Sequence, residues 1–174
     1  MGFKRCLLAL VVMGVTLLFT PTVHPADKNE IESLRGLRGV FVVVEKLDNE
    51  IKRELPFDEN QIRDDIELKL RMAEIKVFSK EESSKIPGSP CLYVNLNALL
   101  VPEIDTIYYA LNIFLEQTAS LSRNSNIHPS AMTWWSGSVG AVGKSWASKI
   151  RDSIQDKIDR FISDYLSVNP KGGK

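Results

Sequence analysis

Cys91-Leu92-Tyr93-Val94-Asn95-Leu96-Asn97-Ala98-Leu99-Leu100 places an apolar residue at every even position, and its odd positions include Asn95 and Asn97. Successive side chains of a strand point to opposite faces, so a strict period of two over five repeats predicts a strand with one buried face. Residues 106–121 repeat the pattern, with Ile107, Tyr109, Leu111, Ile113 and Leu115 on one face and Asn112, Glu116 and Thr118 on the other. Pro102-Glu103-Ile104-Asp105 between the two segments suits a hairpin connection. An antiparallel pair of long strands is therefore the expected centre of the fold.

Upstream, Val40-Phe41-Val42-Val43-Val44-Glu45 is a β-branched and aromatic run too short for an independent helix. It reads as a strand buried on nearly both faces and lying centrally in its sheet. Asp58 opens a helix with Gln61 three residues on, an acidic variant of the capping box. Ile62, Ile66, Leu70 and Ala73 form its apolar stripe, and Asp65/Lys69 and Glu67/Arg71 are i,i+4 pairs in the favourable order. Ile75, Val77 and Ser79 alternate with Lys76 and Phe78, predicting a short second strand before a polar loop over residues 80–90. Residues 27–39 read as a short helical lead-in.

Downstream, a polar loop over residues 123–129 leads to Ala131-Met132-Thr133-Trp134-Trp135-Ser136, another antiparallel strand. Gly137, Gly140 and Gly143 are expected to loosen the chain after it. From Lys144, the residues Ala147, Ile150, Ile154, Ile158, Phe161, Ile162 and Tyr165 recur at three and four, giving a long amphipathic helix to about Ser167. The expectation is an α+β fold of order β-α-β-β-β-β-α. It has a mostly antiparallel, three- to five-stranded sheet with two helices packed on one face. A single domain over residues 27–170 and a flexible tail over residues 171–174 complete it.

Lys4 and Arg5 precede an uncharged apolar run of 14 residues, Cys6 to Phe19, followed by Thr20-Pro21-Thr22-Val23-His24-Pro25-Ala26. This is the layout of a secretory signal peptide over residues 1–26. Fourteen helical residues reach about 21 Å, short of the roughly 30 Å hydrocarbon core, so no permanent membrane span is expected after cleavage. Thr20 and Thr22 offer a weaker cleavage alternative to Ala26. Removing 26 of the 174 residues leaves 148, with 20 basic and 22 acidic side chains, a net charge of −2 and one cysteine, Cys91. An intramolecular disulfide is then impossible, and a Cys/His zinc site is excluded because His128 is the only other soft ligand. No basic run favours nucleic acid. No cofactor or metal signature is present.

Gly137-Ser138-Val139-Gly140-Ala141-Val142-Gly143-Lys144-Ser145 ends as a phosphate-binding loop does, but such a loop needs glycine where Ser138 stands. The simpler reading is a small-residue turn feeding a helix. His128 precedes proline in a polar loop, without a nucleophile elbow, and reads as a solvated histidine rather than part of a Ser-His-Asp site. Cys91 heads a strand and reads as a packing thiol. Asp64 and Asp65 read as a solvated helix edge.

Adjacent Trp134 and Trp135 must point to opposite faces of a strand. If helices cover one face only, the other carries Tyr108, Phe114 and one of the tryptophans. Trp134, Trp135, Tyr108 and Phe114 are thus the candidate binding residues, since an exposed aromatic patch marks an interface or an apolar ligand site.

The closing segment Asp159-Arg160-Phe161-Ile162-Ser163-Asp164-Tyr165-Leu166-Ser167-Val168-Asn169-Pro170, with Thr133-Trp134 ahead of it, resembles that of small exported bacterial proteins of unknown function. The resemblance implies a signal peptide followed by one α+β domain and carries no catalytic residues. The expected function is a non-enzymatic binding module of the bacterial cell envelope, periplasmic or secreted. Its partner would be an unidentified envelope protein. The alternatives are a small apolar-ligand carrier, and an exported hydrolase built on His128 with a serine.

Overall fold

A computed structural model describes residues 27–170. The expected signal peptide, residues 1–26, and the expected tail, residues 171–174, lie outside the described residues. In chain order the elements are α1 (Lys28–Glu32), β1 (Phe41–Val44), α2 (Asn49–Lys52), α3 (Glu59–Met72), α4 (Lys80–Ser83) and β2 (Cys91–Val101). A 3-10 turn (Pro102–Ile104) leads to β3 (Thr106–Thr118) and β4 (Ser130–Gly143), and a second (Lys144–Trp146) leads to α5 (Ser148–Val168). The class is α+β, with one four-stranded sheet in the order β1-β2-β3-β4. β2, β3 and β4 form an antiparallel meander, whereas β1 runs parallel to β2. No helix among the described residues is long and apolar enough to cross a membrane.

The period of two in β2 and β3 sets the faces of the sheet, although Ala98, Leu100 and Tyr109 are only partly buried and β3 ends at Thr118 rather than at residue 121. Leu92, Val94 and Leu96 are buried opposite Leu115, Ile113 and Leu111. The α3 stripe Ile62, Ile66 and Leu70 and the α5 stripe Ile150, Ile154, Ile158 and Phe161 are each 0% exposed and close over this same sheet face. Asp58 caps α3 as expected, its carboxylate accepting from the N–H groups of Asn60 and Gln61 at 2.9 Å each. The Gln61 side chain returns the bond to the Asp58 N–H at 2.9 Å. Of the two expected pairs along α3, Glu67–Arg71 forms at 2.7 Å. Asp65 and Lys69 instead reach across to α5, to Arg151 and Asp159, at 2.6 Å each. Neighbouring helices offer these side chains better-placed partners than their own helix does.

Four expectations need correction, and the element order changes with them. The strand expected over residues 75–79 is a single bridge, Val40 to Val77, because Ser79 adopts a cap conformation and starts α4 at once. Ile75 and Phe78 are buried anchors rather than ladder members. β1 lies at the edge of the sheet, not its centre: the meander takes every position on the far side of β2. Its four residues alternate between half-buried and buried, so only Val42 and Val44 face the core. The segment expected to loosen after Ser136 instead continues β4 through Gly143. Gly137 and Gly140 sit in it because rings cross their bare Cα atoms. A Cβ there would stand 2.4 Å from the Trp135 ring and 2.7 Å from the Tyr109 ring respectively. Finally, among the described residues three short helices, α1, α2 and α4, accompany the two long ones.

The motifs near the C-terminus act as a clamp. Tyr165 donates its hydroxyl proton to the Leu37 carbonyl at 2.7 Å, and the Asn169 amide donates to the Leu34 carbonyl at 2.8 Å and accepts from the Gly36 N–H at 2.7 Å. Trp134 Nε1 donates to Asp164 at 2.9 Å, and its ring meets Phe161 edge-on at 5.1 Å. The closing segment therefore binds α5 to the lead-in after α1 and to β4.

Candidate functional site

Which tryptophan enters the core is decided by one residue. The β3–β4 register shifts between Leu115 and Glu116, leaving Thr133 as the extra residue of a bulge. Thr133 is held there by Gln117, whose amide donates to its hydroxyl at 2.8 Å, and by Ser33, whose hydroxyl donates to its carbonyl at 3.0 Å. The bulge turns Trp134 inward, where it is 0% exposed, and Trp135 outward, where it is 38% exposed. Trp134 is thus a core residue and not part of any surface patch.

The other face of the sheet carries no helix among the described residues. Cross-strand register sorts its side chains into rows. One row is Val43, Tyr93, Phe114 and Trp135. Tyr93 and Phe114 stack with centroids 5.1 Å apart and planes 21° from parallel. The indole of Trp135 lies across Gly137 and donates Nε1–H to Asn112 at 3.2 Å. The next row supplies a polar ladder: Asn95 donates to Glu45 and accepts from Asn97 at 2.7 Å. Beyond it stand Leu99, Tyr108 and Val139, all exposed, while Met132 is exposed at the opposite end.

Of the four candidate residues, Phe114 and Trp135 are neighbours on this face. Tyr108 shares the face but lies six residues along β3, about 20 Å away. Tyr93, Leu99, Val139 and the amide ladder were missed. Tyr93 and Leu99 share their parity with Asn95 and Asn97, so the same alternation that exposed the asparagines placed them. Val139 was hidden by the reading of its glycines as a turn.

The chemistry of the face is quiet. Burial first, and then Glu116 opposite it, push the Cys91 thiol up to about 11, which leaves it protonated at neutral pH. Burial and the neighbouring Glu45 carboxylate also raise the Tyr93 hydroxyl. His128 Nδ1 lies 3.0 Å from Ser120 Oγ in the exposed loop between β3 and β4. Among the described residues no carboxylate accepts a hydrogen bond from the His128 ring, as the third member of a Ser-His-Asp triad does. Lys144 pairs with Glu54 at 2.5 Å and opens a 3-10 turn, while residues 137–143 are extended strand rather than a loop. Among the described residues no group of three or more His, Cys, Asp or Glu side chains is placed to hold a metal ion. A cleft of about 690 Å³ beside α2 and β2 is lined by Glu45, Asp48, Glu50 and Glu54 together with Lys46.

Fold and face together define an α+β protein with one sheet face packed under helices and the other left open. No family model, no curated protein and no solved structure matches the chain.

Proposed function

We propose that the protein is an exported, non-enzymatic binding module of the cell envelope whose working surface is the open face of its sheet. The observation that carries this reading is the Tyr93–Phe114–Trp135 row, flanked by exposed Leu99, Tyr108, Val139 and Met132. Exposed apolar surface studded with rings gains free energy when a partner removes it from water. The polar ladder of Glu45, Asn95 and Asn97 between the apolar zones supplies directional bonds that fix how a partner lies. Export is supported by the layout of residues 1–26.

The experiment is affinity capture from envelope extracts by the wild type, Trp135→Ala and Leu99→Asp. Both substitutions sit on exposed positions and leave the core intact. A partner recovered with the wild type and lost from both variants supports the reading, as does protection of Trp135 from an aqueous fluorescence quencher in its presence. Retention by both variants places the contact elsewhere and overturns it. A lipid lost from the variants in the same manner would identify the occupant as apolar.

A further inference from the structure

The two edges of the sheet are treated differently. β1 is four residues long and is crossed at Val40 by the Val77 bridge. β4 runs for 14 residues, and its outer edge has no partner strand among the described residues. Lys144 N–H donates to the Asp105 carbonyl at 2.9 Å, which sets the alternation of hydrogen-bonded pairs back along β4. Trp134, Ser136, Ser138, Gly140 and Val142 therefore aim their backbone groups at β3. Trp135, Gly137, Val139, Ala141 and Gly143 aim theirs outward.

Sheet proteins ordinarily protect such an edge with charge, proline, a bulge or a short strand. From Asn124 to Gly143 the chain has no Asp, Glu, Lys or Arg. The nearest proline, Pro129, precedes the strand, and the bulge at Thr133 lies before the outward-facing run begins. The most exposed of the large apolar side chains, Val139 at 83%, stands at the middle of that run.

We infer that a second copy of this chain pairs antiparallel with β4 about a two-fold axis at Val139, joining two sheets into one of eight strands. What selects a second copy over an unrelated strand is that the edge complements itself. With Val139 opposite Val139, Gly137 meets Ala141 and Trp135 meets Gly143, so outside the central valine pair each larger group faces a smaller one. All five outward residues of each copy are used, and about ten intermolecular backbone hydrogen bonds form. Shifting the axis to Gly137 or Ala141 drives the pairing into the Thr133 bulge or past the end of the strand. The inference concerns the edge of the sheet and does not depend on what occupies its face.

The test is sedimentation velocity on the protein expressed from its full coding sequence, over about 1–100 μM. The wild type is expected to dimerise across this range. V139K and V139E each set like charges directly opposite one another across the axis and are expected to weaken dimerisation by at least about tenfold. An equal mixture of the two variants is expected to restore it, because Lys then faces Glu. Backbone hydrogen exchange at Val139 and Ala141 is expected to be slow in the wild type and fast in V139K. The inference is overturned by a wild type that stays monomeric, by V139K dimerising as the wild type does, or by the mixture remaining monomeric. Circular dichroism showing an unchanged fold in V139K separates these outcomes from misfolding.

Discussion

Trp134 shows how a single side chain joins two elements. Its ring fills the space between β4 and α5 against Phe161, and its one polar atom reaches Asp164. Asp164 also lies 3.8 Å from Arg160, so the tryptophan bond and the ion pair share one carboxylate. Trp134→Phe keeps the ring contact and removes the donor. Urea unfolding is expected to show a loss of about 1.5–3 kcal/mol, the range for a hydrogen bond to a charged group. An unchanged midpoint would mean that solvent replaces the bond. The sequence told that the paired tryptophans diverge, but not which one enters. That choice rests on Thr133, whose role as the extra residue of a bulge depends on Gln117 and Ser33, distant in sequence and outside any periodic signal.

Among the elements, α3 is the clearest case of local sequence acting as read. Hydrogen bonds from the N–H of Gln61, and then of Asn60, hold the Asp58 carboxyl below the ordinary aspartate value. A carboxyl with a depressed folded-state value contributes stability above its unfolded value of about 3.9 and loses it as pH falls through the lower folded value. Asp58→Ala is expected to lower the melting temperature by roughly 2–4 °C at pH 7, a gap that narrows as pH falls below about 4. Scanning calorimetry at several pH values checks both parts. The long elements β2, β3, α3 and α5 were legible because their periodicity recurs over several turns or repeats. Residues 75–79 were not, since alternation over five residues cannot distinguish a ladder from a chain that touches a strand once and turns into a cap. The end of β4 was hidden for a different reason. Its glycines carry no hydrophobic pattern, and they are tolerated because Trp135 and Tyr109 lie across them.

At the scale of the whole molecule, the sheet combines neighbours of very different separation along the chain. β2, β3 and β4 pair through short connections, whereas β1 reaches β2 only after α2, α3 and α4. Loop closure for the second pairing costs more conformational entropy, so the meander is expected to be structured in the folding transition state and β1 to dock after it. Stopped-flow denaturant series on Ile113→Val and Val42→Ala check this. The first is expected to slow folding, with a φ-value of about 0.5 or more, and the second mainly to hasten unfolding, with a φ-value below about 0.3. The parallel placement of β1 was the least readable feature of the sequence, because periodicity reports which face a strand buries and not which strand it lies beside. Its consequence reaches back to translation. A chain emerging at roughly 5–20 residues per second presents β1 several seconds before the strand it must join. During that interval Val40-Phe41-Val42-Val43-Val44, the most β-prone segment of the first half, has no correct neighbour, and this is the window in which a nascent chain most needs shielding from others like it.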